Sequence, residues 1–410
     1  MYETSAKHSH HSNIPLIINS EAGESIKSTI YLKGLKPWIS HFPITTVPSS
    51  NEFKIKQAVP GNRQVIVTWD KIPEAIGYVL KYSLGSNIYV IGLDPETTSY
   101  TVIGLENGST YYFKVMARST TVIMVETSTI LVKVGRTSGL QSHQLGLLVN
   151  DNDPDSIAVA EYYRIRRLIP SENIVHLSLP KVTRLTANEF TPLKNKVDEL
   201  MPPTVQALAL AWTIPYAVES MMLAGKNVDQ VKALIDRGIA SDGTQPTGSA
   251  YIMNTTDSIR SVRAKVFISY YLGKTISPHV NVQLLQANSI SGTTDVLFYF
   301  QGLHAVNDIT TNKYPPGAVA DQLTLYGGML TDSGSHMSIL EFIAAGFTGS
   351  FGTVSEPCSW TQKFPNPQFM IQHYTKGETL IESYWKSILQ VFQGVFVGEP
   401  LANPWRQYIS

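Results

Sequence analysis

This chain of 410 residues has one cysteine, Cys358, whose thiol is a candidate nucleophile. Cys358 follows Gly349 to Val354, a run of small, β-compatible residues that is interrupted by Glu356 and Pro357. The pattern therefore predicts a buried strand that stops just before the thiol. In open parallel sheets, ligands and catalytic groups collect at the carboxyl ends of strands. Cys358 is therefore predicted to be either a nucleophile or, like most lone free cysteines, a small buried hydrophobe.

Cysteine catalysis needs a thiolate, and a thiolate at neutral pH needs a cationic neighbour such as histidine. His304 follows an apolar strand-like run, and His336 lies in Ser-Gly-Ser-His-Met-Ser, which is typical of the start of a helix. Because His304 would emerge at the carboxyl end of a strand, it is favoured as the residue that takes the proton from Cys358 and later returns it. Glu356 would orient it or bind substrate, and backbone amides after Gly302 or near Cys358 would stabilise an oxyanion.

The other polar clusters at predicted strand ends have simpler explanations. Asp257 is well placed as the N-cap of a following helix, which is an alternative to a role in a ligand site. Arg260 and Arg263 lie one turn apart and could grip a carboxylate, although a solvated basic face is the commoner outcome. His336 and Asp257 are accordingly supporting candidates only.

Two segments resemble metal sites but lack the full ligand pattern. The alternating carboxylates of Asp151 to Asp155 match the start of a calcium loop, but Ser156 stands where the loop needs Gly and Tyr162 where it needs Glu. His8, His10 and His11 could hold a metal ion, but a short His-rich terminus without other ligands is more typical of a solvated tail. The sequence therefore predicts no metal site, and no motif in it calls for a cofactor.

Composition excludes several classes of function. Lys plus Arg and Asp plus Glu number 32 each, so no net charge draws the chain to nucleic acid or anionic membranes. The start lacks the pattern of a secretory signal, and no run is long enough to span a bilayer, which predicts a soluble chain without a transmembrane segment. A lone cysteine excludes an intrachain disulfide and leaves the compartment open.

Evenly spaced, alternating apolar runs predict a β-sandwich over residues 51–136, after an extended lead-in at 1–50 that has room for extra strands. The runs are 64–69, 77–82, 88–92, 99–103, 111–117 and 129–134.

The residues Val65-x-Val67-x-Trp69, Gly77-Tyr78 and Leu105-x-x-Gly108-x-x-Tyr111-x-Phe113-x-Val115-x-Ala117 resemble a fibronectin type III domain. The resemblance implies that Trp69 fills the core and that the Tyr111 hydroxyl ties back to the chain near Leu105. It also implies a spacer or adhesive module that contacts protein or glycan, and it favours a secreted or cell-surface location.

Beyond a linker at 137–143, residues 144–410 alternate strands with helices, which predicts a three-layer α/β domain with a mostly parallel, doubly wound sheet. If all strands are parallel, the polar loops that follow them line one edge. The predicted strands are 145–150, 174–179, 205–211, 250–254, 295–300, 349–354 and 394–397. The predicted helices are 156–168, 187–200, 228–237, 258–271, 318–325, 337–345 and 378–389.

From 145 to 405 the chain resembles an uncharacterised bacterial α/β family without an established activity. The resemblance implies the architecture and candidate positions, among them Asp321 at the end of Pro-Gly-Ala-Val-Ala-Asp, and the family carries His where this chain has Gln322. The matching stretches are 147–156, 236–244, 255–264, 316–321, 346–365, 377–387 and 395–402.

A remoter likeness is to the gingipain and caspase group of cysteine peptidases, in which one strand ends at His and the next core strand ends at Cys. Tyr299 to His304 and Gly352 to Cys358 would be these ends, although His304 is followed by Ala-Val rather than by the Gly of the group's Gly-His-Gly motif. The likeness implies a peptidase-like cysteine hydrolase. The alternative hypothesis is a non-catalytic interaction protein that binds protein or glycan.

Overall fold

The computed structural model describes residues 53–61, 63–119, 123–216, 220–265, 276–354, 360–391 and 393–409. These residues divide into two compact units, and the division falls between Arg136 and Thr137. The lead-in predicted for 1–50, with its histidines, lies outside the described residues.

The first unit is an antiparallel β-sandwich. One sheet has the order β1-β2-β5, and the other has the order β4-β3-β6-β7 with β8 also paired to β6. Its strands are β1 (Ile55–Gly61), β2 (Gln64–Trp69), β3 (Gly77–Leu84), β4 (Asn87–Leu93), β5 (Ser99–Ile103), β6 (Thr110–Arg118), β7 (Ile123–Glu126) and β8 (Ile130–Lys133). The predicted alternation is visible in β6, where every second residue from Tyr111 to Ala117 is buried.

Aromatic rings fill the space between the two sheets. Trp69 is buried and packs edge-to-face on Tyr78, with 5.7 Å between ring centroids. The backbone N–H of Glu106 donates to the Tyr111 hydroxyl at 3.3 Å. The predicted core position of Trp69 and the predicted tie of Tyr111 to the chain beside Leu105 are confirmed.

The second unit is built on a ten-stranded, mostly parallel sheet with helices. Its strands are β10 (Leu145–Asn150), β11 (Ile174–Leu177), β12 (Ala207–Leu210), β13 (Met221–Met222), β14 (Gly248–Met253), β15 (Val280–Leu285), β16 (Val296–Gln301), β17 (Val319–Gln322), β18 (Gly349–Thr353) and β19 (Gly394–Gly398). Its helices are α1 (Pro154–Arg167), α2 (Ala187–Leu200), α3 (Val228–Ser241), α4 (Leu340–Ala345), α5 (Pro367–Thr375) and α6 (Leu380–Ser387), and residues 262–265 form a further helical turn. The short strands β9 (Arg136–Thr137) and β20 (Tyr408–Ile409) pair with each other.

The sheet consists of two parallel halves that run in opposite directions. Its order is β11-β10-β12-β13-β19-β18-β17-β16-β14-β15, and the pairing is parallel throughout except between β18 and β19. The chain leaves β18 and re-enters β19 at the same edge, so Thr353 lies opposite Gly394. The prediction of a mostly parallel sheet is confirmed, and the one antiparallel pair arises because the chain between β18 and β19 does not cross to the other edge of the sheet.

Helices cover both faces of the sheet around β19. Val395 and Val397 pack with residues of α4, whereas Phe396 points to the opposite face and packs with residues of α6. The Phe396 ring lies 5.2 Å from the ring of Tyr384 and 5.2 Å from that of Phe351. Alternate side chains of one strand thus join two separate apolar layers, as expected for a strand buried on both faces.

The helix predicted for 318–325 is wrong, because the structure has strand β17, Val319–Gln322, in its place. All of its residues are buried between β16 and β18. Gly317, with φ at +94°, turns the chain into the strand directly. A segment of four residues between two core strands has no room to form a helix that covers the sheet. The strands β13 and β15 and the helix α5 were also not predicted.

Candidate functional site

The carboxyl ends of β14, β16, β17 and β18 meet at one edge of the sheet, which we call the rim together with the loops 254–261, 302–305 and 323–339. β10 and β19 run the other way, so the loops 150–156 and 398–400 emerge at the opposite edge. The condition under which all polar strand-end loops would share one edge, a fully parallel sheet, is therefore not met. The reversal at β18–β19 separates them into two groups.

The two strands predicted to deliver the imidazole and the thiol belong to the same half of the sheet. β16, which precedes His304, and β18, which precedes Cys358, run parallel, but β17 lies between them. The likeness to cysteine peptidases implies that these two strands are neighbours, and in the structure they are not. Cys358 and Glu356 lie outside the described residues, and the described chain stops beyond β18 at Val354.

His304 is exposed on the loop that follows β16. Its backbone carbonyl oxygen accepts a hydrogen bond from the backbone N–H of Met337 at 2.8 Å. The side-chain amide of Gln322 donates to the carbonyl oxygen of Met337. The loops after β16 and β17 are thereby tied together, and the structure places His304 next to the segment that carries His336.

His336 is the better anchored of the two imidazoles. Its Nδ1 lies 2.6 Å from the hydroxyl oxygen of Thr324, a fully buried residue two positions beyond β17. Its ring packs edge-to-face on Tyr326, with 5.5 Å between centroids and 85° between planes. The hydrogen bond at Nδ1 and the packing on Tyr326 together fix the orientation of the ring.

No pattern in the sequence singles out Thr324 or Tyr326. Both lie in the segment that was predicted to be part of a helix or a loop, and neither belongs to a recognised motif. The useful signal is their position at the end of a strand, which becomes visible only when β17 is recognised as a strand.

Loop 323–339 is fixed to the end of β18 by very close backbone contacts. The N–H of Gly328 donates to the Thr353 carbonyl at 3.0 Å, and the Thr353 hydroxyl donates to the Thr324 carbonyl at 2.7 Å. A Cβ on Gly328 would lie 2.2 Å from the carbonyl oxygen of Gly352, so only glycine fits there. The loop that carries His336 therefore lies against the strand that leads to Cys358.

Gly302 does not have a free amide for an oxyanion hole. Its N–H donates to the side-chain oxygen of Gln301 at 3.2 Å. A Cβ at this position would lie 2.5 Å from the Arg260 carbonyl oxygen. The glycine is needed for close packing between the loops after β14 and β16, and we do not assign it a catalytic role.

Asp257 and Arg260 form a capping pair at the end of β14. One carboxylate oxygen accepts from the backbone N–H of Ile259 at 3.1 Å and of Arg260 at 3.0 Å, and the other accepts from the Arg260 guanidinium at 2.6 Å. Burial raises the pKa of Asp257, but the hydrogen bonds and charge of Arg260 outweigh it and hold that pKa below its ordinary value of 3.8. These contacts favour a structural role for both residues.

Asp321 lies below the rim in the middle of the sheet and forms an ion pair with Arg263. The carboxylate is fully buried, and burial raises the pKa of Asp321 while the charge of Arg263 opposes the rise only in part. The Arg263 guanidinium also donates to the carbonyl of Gln301 at 3.2 Å and lies 5.2 Å from the ring centroid of Phe300. Full burial beside Arg263 favours a role for Asp321 in the core.

No group of three or more His, Cys, Asp or Glu suited to a metal ion occurs in the described parts of the chain. Within the same ranges, none of the helices combines the length and the apolar character that crossing a membrane requires.

Comparisons with known proteins concern the sandwich fold. No protein-family model matches the chain, and no curated protein matches it. Among solved structures, the fn3 domain of human contactin 1 is 15% identical, with 24% of this chain and 88% of that chain covered and a TM-score of 0.19. The FN1-FN3 domains of chicken CNTN1 are 16% identical, with 21% of this chain and 32% of that chain covered and a TM-score of 0.19.

Proposed function

We propose that the second unit is a cysteine hydrolase, peptidase-like in mechanism, in which Cys358 is the nucleophile. The imidazole that activates it is His336, and His304 is its neighbour on the rim. The proposal is supported by one observation above all, the 2.6 Å hydrogen bond between Thr324 and the Nδ1 of His336 beside the end of β18.

A base that activates a nucleophile must itself be oriented by a third group. In the tautomer whose Nδ1–H donates to the Thr324 oxygen, Nε2 carries no proton and would be the atom that takes the proton of the thiol. The position of His304 after a strand favours it as the base in the sequence, but in the structure this residue is exposed. β17, the source of His336, also lies directly beside β18, whereas β16 lies one strand further away.

The chemical step follows from these assignments. The Cys358 thiol gives its proton to Nε2 of His336, and the thiolate attacks a substrate carbonyl carbon. The C–N bond then breaks as the imidazolium returns the proton to the leaving amine, and water hydrolyses the resulting thioester. Backbone amides near Cys358 would bind the oxyanion. The substrate class is a peptide or protein, and no step requires a cofactor.

The test is labelling by a cysteine-directed activity probe, an acyloxymethyl ketone, in the wild-type chain and in single variants. Cys358→Ala should abolish labelling, and His336→Ala should slow it by a factor of about 100 or more, the range expected for loss of a general base. His304→Ala is the matched control, because it removes an exposed imidazole on the adjoining loop, and its labelling rate should change by less than about threefold. Equal labelling of wild type and His336→Ala would refute the dyad, and a loss confined to His304→Ala would return the role to His304.

A non-catalytic interaction protein is the second candidate, and the sandwich supports it. Tyr112 and Leu131 lie opposite each other across β6 and β8, and their side chains are 44% and 56% exposed. Lys114, two residues along β6, lies on the same face, and its ammonium donates to Glu126 at 2.7 Å. An exposed aromatic and apolar pair suits contact with protein or glycan. Replacing Tyr112 by Ser would weaken such binding without any effect on probe labelling of Cys358.

A further inference from the structure

The ten-stranded sheet ends in two edge strands that are protected to very different degrees. β11 is one edge and β15 is the other. An unprotected edge presents unpaired N–H and C=O groups that can pair with another strand. The two edges of this sheet can be compared group by group.

The β11 edge is covered. The N–H of Asp151 donates to the carbonyl oxygen of Leu177, so the neighbouring carbonyl of His176 points away from the sheet. The Lys196 ammonium of α2 donates to this outward carbonyl at 2.8 Å. With only four residues in β11 and a charged side chain on its outward carbonyl, this edge is closed to a further strand.

The β15 edge has six residues, Val-Asn-Val-Gln-Leu-Leu, and no charged side chain. The carbonyls of His279 and Leu285 accept from the N–H groups of Gly248 and Asn254 in or beside β14. Strand alternation therefore directs the N–H and C=O groups of Val282 and Leu284 away from β14. Among the described residues, no hydrogen bond satisfies these outward groups.

The side chains at this edge are incompletely buried on both faces of the sheet. Val282 and Leu284 are half-buried against one apolar layer, and Leu285 is half-buried against the layer on the other face. A strand added at β15 would satisfy the outward backbone groups and cover these side chains at the same time.

We propose that β15 is a dimerisation edge and that its partner is β15 of a second copy of this chain, paired antiparallel. An uncharged strand meets its own copy without like-charge repulsion, and the chain as a whole has a formal net charge of zero. A two-fold axis at Gln283 places Val282 of each copy opposite Leu284 of the other, with the outward groups of both residues facing each other. The proposal goes beyond the proposed hydrolase function and does not depend on it.

The two-fold axis gives a charge test that a general loss of folding cannot imitate. Gln283 would lie opposite Gln283 of the other copy in a non-hydrogen-bonded pair, where opposite side chains are closest. Gln283→Lys and Gln283→Glu therefore each place like charges face to face. Each variant alone should weaken the dimer at least about tenfold, and an equimolar mixture of the two should restore it as a heterodimer. Asn281→Lys is the matched control, because the axis places Asn281 opposite Leu285 rather than opposite itself.

The measurement is molar mass by light scattering and sedimentation over a range of micromolar concentrations, since a contact of one strand per copy is small. The wild-type chain should approach twice the 45.3 kDa of one copy as concentration rises. Val282→Pro removes an outward N–H and no bond to β14, so it should give a monomer with unchanged circular dichroism. A wild-type monomer throughout this range would overturn the proposal, as would a dimer that Val282→Pro and both charge variants leave intact.

Discussion

Replacing Asp321 by Asn tests whether this buried carboxylate is structural. In the native protein it is the counter-charge of Arg263, and both side chains are almost completely buried. Breaking a buried ion pair by removal of one partner costs about 3–5 kcal/mol, because the remaining charge is left uncompensated. Arg263 keeps its hydrogen bonds to the carbonyls of Gln301 and Pro365. We therefore expect the free energy of unfolding to fall by about 3 kcal/mol, near the lower end of this range.

The exposed pair Lys194–Asp198 on α2 is the matched control. Its side chains are 55% and 57% exposed, and an exposed i,i+4 pair contributes about 0.3–0.5 kcal/mol. Asp198→Asn makes the same chemical change as Asp321→Asn and should therefore have almost no effect. Denaturant unfolding followed by the helical circular dichroism signal measures both, because the α-helices of the described residues lie in the second unit.

The refuting result concerns the charge state of Asp321. Burial raises the pKa of Asp321, which favours its protonated form in the folded protein. If Asp321→Asn lowered the free energy of unfolding by less than about 1 kcal/mol at neutral pH, Asp321 would be neutral in the native state and the ion-pair argument would be wrong. If the variant folded normally but lost labelling of Cys358, Asp321 would be a functional residue rather than a core residue.

Three further substitutions test other parts of the account. Tyr111→Phe removes the hydroxyl that accepts from Glu106 and should cost the sandwich about 1 kcal/mol in denaturant unfolding, with no change in labelling of Cys358. Gly328→Ala places a Cβ 2.2 Å from the carbonyl oxygen of Gly352 and should cost about 3 kcal/mol or more and slow labelling, whereas a neutral effect would show that the loop is not fixed there. Asp257→Asn keeps the cap but removes the charge. The pKa of Asp257 is lowered in the folded state, so its charge stabilises the protein above pH 3.8, and this stabilisation is lost as the pH falls through the folded pKa. The difference in unfolding free energy between the native protein and Asp257→Asn should therefore disappear in acid.

The elements with strong period or turn signals were predictable from the sequence. The alternation in β6 and the long apolar run of β10 are clear because each strand is longer than five residues and has consistent burial. β13 has two residues and β17 has four, and neither has a periodic pattern of its own. Their strand conformation depends on neighbours that a sequence window does not contain.

The sheet reversal and the site could not be predicted for the same reason. Nothing in the residues of β18 or β19 specifies which edge the connection between them returns to, yet that choice moves half of the strand-end loops away from the rim. The prediction of His304 and His336 as the two imidazoles stays a prediction as far as catalysis is concerned. The hydrogen bond between the Nδ1 of His336 and Thr324, which favours His336 as the base, depends on how β17 enters the sheet.

The most direct test of the proposed dyad is the pH dependence of Cys358 alkylation by iodoacetamide. An isolated thiol has a pKa of about 8.5, and pairing with an imidazole lowers it so that a thiolate is present at neutral pH. We predict that the wild-type rate reaches its plateau below pH 7 or so, and that His336→Gln moves the midpoint up towards about 8.5 while His304→Gln leaves it in place. A wild-type midpoint already near 8.5 and unaffected by His336→Gln would contradict the account.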